Sequence, residues 1–158
     1  MSEEARAAAL ASLSAQVGRE VHLSDWLQVT QQRVNAFAEA TGDHQWIHVD
    51  RERAARESPW STTIAHGYLT LSLYPMLRGL VDAENPPYPG VRQVINYGLD
   101  KLRFPNAVKV DARIRARCTI LRVEEIPGAL QIAEQYTVEI EGESKPACVA
   151  EAIMRLYF

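Results

Sequence analysis

An aspartate and a histidine stand five residues apart in the stretch Ala40-Thr41-Gly42-Asp43-His44-Gln45-Trp46-Ile47-His48. A carboxylate and an imidazole that converge on one point can hold a water molecule between them, one accepting a proton while the other donates. Adding water across a polarised double bond requires that arrangement. The segment around Asp43 and His48 is too irregular for a regular helix, so the loop itself must set their separation. The same spacing also fits plainer roles, with Asp43 capping a turn and His48 serving as a hydrogen-bonded structural histidine. A second feature is His66-Gly67, which opens a greasy segment. The first turn of a helix presents free amides and a partial positive charge, and glycine lets a ligand approach the backbone, so charge developing on an ester or thioester oxygen could be held there. A tight entry turn is the alternative. Ser72 places one hydroxyl in that apolar segment. It could orient a catalytic carboxylate or bond back to a carbonyl of its own helix.

These residues need elements to position them. Residues 4–16 are rich in Ala and Leu and predict a helix that stops near Gly18. Thr30 is a good N-cap for a second helix carrying Val34, Phe37 and Ala38 on one face and ending near Gly42. Asp50 caps a short helical signal after His48. The run from His66 to Val81, HGYLTLSLYPMLRGLV, is apolar nearly all round, which predicts burial on most sides, with Pro75 kinking or dividing it. From Val110 to Ile120 apolar residues hold every even position while Asp111, Arg113, Arg115, Arg117 and Thr119 hold the odd ones. That alternation demands a strand with one buried face. Leu130–Ile140, Ala147–Phe158 and Val91–Phe104 read as further strands, with turns at Pro127-Gly128 and from Gly142 to Pro146. Long antiparallel strands preceded by one greasy helix predict an α+β architecture, a sheet curled around that helix.

Composition narrows the partners. The 158 residues are 47% hydrophobic and 23% charged, and 17 Lys plus Arg against 20 Asp plus Glu leave a net charge of -3. Binding to nucleic acid by bulk electrostatics is not expected, and no apolar run is long enough to suggest a membrane span. The N-terminus carries Glu3 and Glu4 where a secretion signal would want positive charge, so a cytoplasmic protein is expected. Cys118 and Cys148 cannot make a disulfide framework, and His22, His44, His48 and His66 show no ligand scaffold in the sequence, so no metal is expected.

Taken together, Gly-Asp-x-x-x-x-His followed by Ala54, then His-Gly-x-x-x-x-Ser, then the Tyr97–Pro105 segment, resemble the MaoC-like branch of the hot-dog superfamily, which includes the R-specific enoyl-CoA hydratases. The resemblance runs from about residue 15 to the C-terminus. With the Ala- and Leu-rich helix set apart as an arm over residues 1–17, it implies one hot-dog domain over residues 18–158, a sheet wrapped around a buried central helix, and a homodimer whose sheets join edge to edge. It further implies Asp43 and His48 as the catalytic pair, the Gly67 amide in an oxyanion hole, and Ser72 holding Asp43. The expected reaction is reversible syn hydration of a trans-2-enoyl thioester to the (R)-3-hydroxyacyl thioester, with coenzyme A as part of the substrate and no separate cofactor. The chain departs from many members in carrying Gln45-Trp46 where they have Asn-Pro, which bears on the substrate more than on the pair. Trp46, His66, Lys101 and Arg103 are candidate substrate-binding residues. Arg113, Arg115 and Arg117 could meet coenzyme A phosphates or form a solvated sheet face, His44 is expected to be exposed, and Trp60, Thr62, Thr63 and Ile64 could line an acyl channel or pack as a loop. Thioester hydrolysis is the competing enzymatic reading. A non-catalytic or heteromeric dehydratase subunit that binds acyl thioesters is the other.

Overall fold

The alternation in the C-terminal half builds the frame of the molecule. In the computed structural model, which describes residues 2–158, the strand β4 (Arg113–Ile126) buries Ile114, Ala116, Cys118 and Ile120 completely while its intervening arginines face solvent. The strict alternation ends at Ile120 because a register shift between Ile120 and Arg122 follows it. Such an extra residue swaps the faces of everything beyond it. The strand begins at Arg113 rather than Val110 because Asp111 takes a positive φ of 71° and turns the chain. Around β4 the sheet has the order β1-β4-β5-β6-β3, with β2 also pairing β4, every pairing antiparallel. The long strands β3 (Gln93–Arg103), β5 (Ala129–Ile140) and β6 (Cys148–Tyr157) lie within the predicted segments to a residue or two. The short strands β1 (Glu20–Leu23) and β2 (Leu27–Gln28) carry too few residues for alternation to reveal them.

Helix α1 (Ser2–Ser14) is not a free arm: Leu13 is buried in the main core, with Ala9 and Leu10 packed against it. Helix α2 (Gln31–Thr41) starts at the Thr30 cap, whose hydroxyl accepts from the Arg33 amide, and stops at Gly42, which takes the left-handed φ of 77°. The one-turn α3 (Trp46–Val49) and then α4 (Arg51–Glu57) follow. The Asp50 carboxylate caps α4, and Ala54 is fully buried.

The greasy segment divides into α5 (Gly67–Ser72) and α6 (Tyr74–Leu77). The break falls at Leu73, ahead of Pro75, because the proline occupies the first turn of α6, where its missing N–H removes no intrahelical bond. Burial on most sides is corrected. Leu69, Thr70, Leu73, Tyr74 and Leu77 face the sheet, but Tyr68, Ser72 and Met76 form an exposed stripe. Beside them β3 has one free edge and exposes Ile95, Tyr97 and Leu99.

Where α6 ends, a buried ion pair fastens it to the sheet. Glu134 of β5 is wholly inaccessible, and its carboxylate accepts from the Tyr74 and Tyr88 hydroxyls at 2.7 and 2.9 Å and from Arg78 Nη2 at 2.8 Å. Every carboxylate oxygen is thus paired, which is the condition for burying it. Among the described residues no helix is long and apolar enough to cross a membrane.

Candidate active site

His48 is held by its ring and by its backbone. Its ring Nδ1 lies 2.7 Å from the Ile64 carbonyl and donates to it, which leaves Nε2 as the free acceptor. Its own carbonyl accepts from Gln31 Nε2 at 2.7 Å, and Gln31 is fixed in turn by the Thr63 hydroxyl. The segment that supplies Ile64 is itself pinned: the Ala65 amide donates to the Val108 carbonyl, the Val110 amide to the Thr63 carbonyl, and the Ile64 amide to the Ile47 carbonyl. A short extended piece at 63–65 therefore bridges the 108–110 segment and the turn that carries His48. Burial makes the charged imidazolium costly and outweighs the stabilising Ile64 carbonyl, so the His48 pKa lies below the ordinary 6.5.

Asp43 sits in the exposed loop between α2 and α3, where one carboxylate oxygen accepts from the Gln45 amide at 3.3 Å. His66 completes the cluster. Its ring stacks on that of His48 with centroids 3.8 Å apart, its Nε2 donates to the Asp43 main-chain carbonyl at 2.9 Å, and the same nitrogen is 3.9 Å from the Asp43 carboxylate. One donor atom from each of Asp43, His48 and His66 lies within 4.8 Å of the others. The four histidines that show no ligand scaffold in the sequence are corrected here, because two of them gather with a carboxylate. That spacing admits a hydrogen-bonded water, whose partners sit about 2.8 Å from it. A zinc ion with ligands at about 2.0–2.1 Å would need the three to draw together.

Next to His48 lies a cavity of about 390 Å³ lined by Trp60, Ile64, Gly67, Thr70, Phe104 and Val108 among others. A larger one of about 620 Å³ lies under α1, between Leu13, His22, Arg78 and Tyr88, and holds none of the candidate residues. Gly67 starts α5 and receives no side-chain cap, so its amide stays open at the cavity wall. The space a side chain would need there is taken by the Phe104 ring, 2.8 Å from where a Cβ would stand. Glycine is therefore required for packing, beyond any ligand that approaches.

Other candidates sit elsewhere. The Ser72 hydroxyl donates to the Tyr68 carbonyl at 2.6 Å, the bond back into its own helix, and makes none to Asp43. Trp46 lies under the Arg53 guanidinium at 4.3 Å. On β3, Lys101 pairs with Glu151, and Arg103 donates to the Leu102 carbonyl. Arg113 pairs with Glu141, and Arg115 and Arg117 share Glu139, so these strand arginines form the solvated face and are already engaged. His44 is exposed and faces Glu39. Thr63 is buried on Gln31 and does not line the cavity, while Trp60 and Ile64 do. Cys118 and Cys148 are buried, and burial pushes each thiol up to about 12, so neither is a nucleophile at neutral pH. Sequence reasoning missed Gln31 as a support of His48. Its only signal was a polar residue at the start of an otherwise well-capped helix.

The profile described as "MaoC like domain" matches residues 12–142. The chain is 51% identical over 147 residues to 3-hydroxyacyl-thioester dehydratase Z of Mycobacterium tuberculosis, covering 92% of this chain and 94% of that one. It is 42% identical over 151 residues to Nodulation protein N of Rhizobium leguminosarum bv. viciae, covering 94% and 91%. In structure it resembles R-hydratase PhaJ1 from Pseudomonas aeruginosa, with a TM-score of 0.68 at 23% identity over 89% of this chain and 81% of that one. A match over most of the sequence, close identity along nearly the whole chain and a shared hot-dog fold together establish that the chain belongs to the MaoC-like dehydratase family.

Proposed function

We propose that this hydro-lyase of the MaoC family catalyses the reversible syn hydration of trans-2-enoyl-CoA to (R)-3-hydroxyacyl-CoA. The observation that carries the reading is the gathering of Asp43, His48 and His66 within 4.8 Å of one another, with His48 and Gly67 both lining one cavity. The Gly67 amide stabilises negative charge on the thioester oxygen, which makes C3 electrophilic. Asp43 and His48 hold the water. Its hydroxyl bonds to C3 as the carbon–carbon double bond breaks, and its proton passes through the pair to C2, so one water is consumed and nothing else leaves. The proton transfers are shared by the pair. Addition from one face gives the syn outcome. No metal or separate cofactor takes part in this scheme; coenzyme A enters as the carrier of the acyl group. The similarity to a 3-hydroxyacyl-thioester dehydratase supports the substrate class.

The protein acts as a homodimer in this reading. The exposed stripe Tyr68, Ser72, Met76 lies next to the free β3 edge with Ile95, Tyr97 and Leu99, an apolar surface that a second copy would cover.

The test is incubation of the purified chain with crotonyl-CoA while enoyl absorbance is followed and the handedness of the product is determined. An R-3-hydroxybutyryl product supports the reading. Release of free coenzyme A without a hydroxyacyl product would mean a thioesterase. No turnover by the chain alone, with turnover when a second subunit is added, would mean a heteromeric dehydratase. A pH profile gives a second check. The pair is active with His48 neutral, and its lowered pKa keeps it neutral to more acid pH, so the acid limb of log kcat/KM is expected to bend below 6.5. A limb at or above that value would show that His48 is not the group being titrated.

A further inference from the structure

We propose that His66 is the positioning residue that sets the separation of Asp43 and His48 and ties both to the Gly67 amide, an inference that rests on the reading above. His66 stands at the N-cap of α5, where a short oxygen-bearing side chain usually satisfies a first-turn amide. Its ring makes no such bond. It is 3% exposed, packed between His48 at 3.8 Å and Phe37 at 4.9 Å between centroids. Its Nε2 is spent on the Asp43 carbonyl, and that bond fixes the tautomer, because only a protonated Nε2 can donate to a carbonyl. Nδ1 is buried with no hydrogen-bond partner among the described residues.

A substrate-binding role is hard to reconcile with a ring so enclosed, and the geometry points to a clamp. Asp43 belongs to a loop with no ladder or helix of its own; its carboxylate accepts from the Gln45 amide and lies 3.9 Å from His66 Nε2. Gln45 links the pair along the chain, its carbonyl accepting from the His48 amide, and His66 adds the cross-connection from the Asp43 carbonyl to the face of the His48 ring. With it, the loop is pinned to one edge of an imidazole whose face rests on the other member of the pair. The residue that pins them is also bonded covalently to Gly67. The water held by the pair and the amide that meets the thioester oxygen therefore share one rigid reference. A misplacement of about 1 Å at such a centre can cost about 10²-fold in rate.

The experiment compares His66→Phe, which keeps a stackable ring and loses the donor, with His66→Gln, whose amide nitrogen reaches the position of Nε2. Circular dichroism and melting temperature check folding, and steady-state kinetics on crotonyl-CoA are read beside backbone ¹⁵N relaxation of residues 42–45. For His66→Phe the expected result is a fall in kcat of about 10–10²-fold with KM nearly unchanged, together with a loss of order in the loop. His66→Gln is expected to recover part of kcat and the loop order. A folded His66→Phe variant with full kcat and an unchanged loop overturns the proposal. So does a His66→Gln variant that folds and is no better than His66→Phe. If the wild-type chain does not hydrate enoyl thioesters at all, the functional reading fails, and the clamp is decided by relaxation alone: a loop that loosens in His66→Phe and tightens in His66→Gln supports it, and one that ignores both overturns it.

Discussion

Asp43→Asn and His48→Ala are each expected to lower kcat on an enoyl thioester by at least about 10²-fold, the low end of what positioned acid–base groups contribute. Asparagine is nearly the shape of aspartate and still offers the Gln45 amide an acceptor, so the loop turn survives. What it loses is the ability to take up a proton. His48→Ala removes the free Nε2 and also strands the Ile64 carbonyl, which loses its ring donor. For that reason His48→Gln is the useful companion. It fills more of the space, and a loss of similar size would assign the effect to the missing base instead of to a rearranged 63–65 segment. Turnover numbers measured on crotonyl-CoA, with melting temperatures beside them, decide the matter. A folded Asp43→Asn protein that retains wild-type kcat would remove Asp43 from the chemistry.

The largest effect on stability is expected at Arg78. Replacing it with Met strands the Glu134 carboxylate at a site with no solvent access, leaving two tyrosine hydroxyls as its only donors. Breaking a buried pair from one side typically costs about 3–5 kcal/mol, a large share of the total stability of a domain this size. The double replacement Arg78→Met with Glu134→Gln tests the cause. The glutamine carbonyl accepts from one tyrosine hydroxyl and its NH2 donates to the oxygen of the other, while the uncompensated charge is gone, so most of the loss should return. Urea unfolding midpoints of the wild type, the single variant and the double variant give the comparison. If the double variant is no more stable than the single one, packing around the guanidinium and not the orphaned charge accounts for the loss.

What could be read in the sequence follows how far each signal reaches along the chain. The strand β4 was legible because its period is two and its partners impose one buried face on it, and Thr30, Gly42 and Asp50 mark helix ends by contacts within a few residues. The Asp43–His48 spacing was legible for the same reason. Glu134 was not, since a glutamate in an alternating strand reads as solvent-facing, and the arginine and two tyrosines that make its burial tolerable come from a helix and a loop 46–60 residues away. His66 was a candidate substrate contact because it stands beside Gly67 at the opening of the buried helix; its partners Phe37, Asp43 and His48 lie upstream and meet it only after the chain has folded back. The exposed stripe on α5 and α6 was misread because hydrophobicity predicts that a face will be covered without saying whether the same chain covers it.

The groups that surround the reacting centre, from Gln31 through Gly67, form one uninterrupted stretch, joined to the sheet chiefly where residues 63–65 meet residues 108–110. Two kinds of change therefore act separately on the molecule. Substitutions in the outer strands leave the 43–48 loop as it is, whereas a single insertion between Asp43 and His66 would part Asp43 and His48 from their clamp while leaving the curved sheet intact.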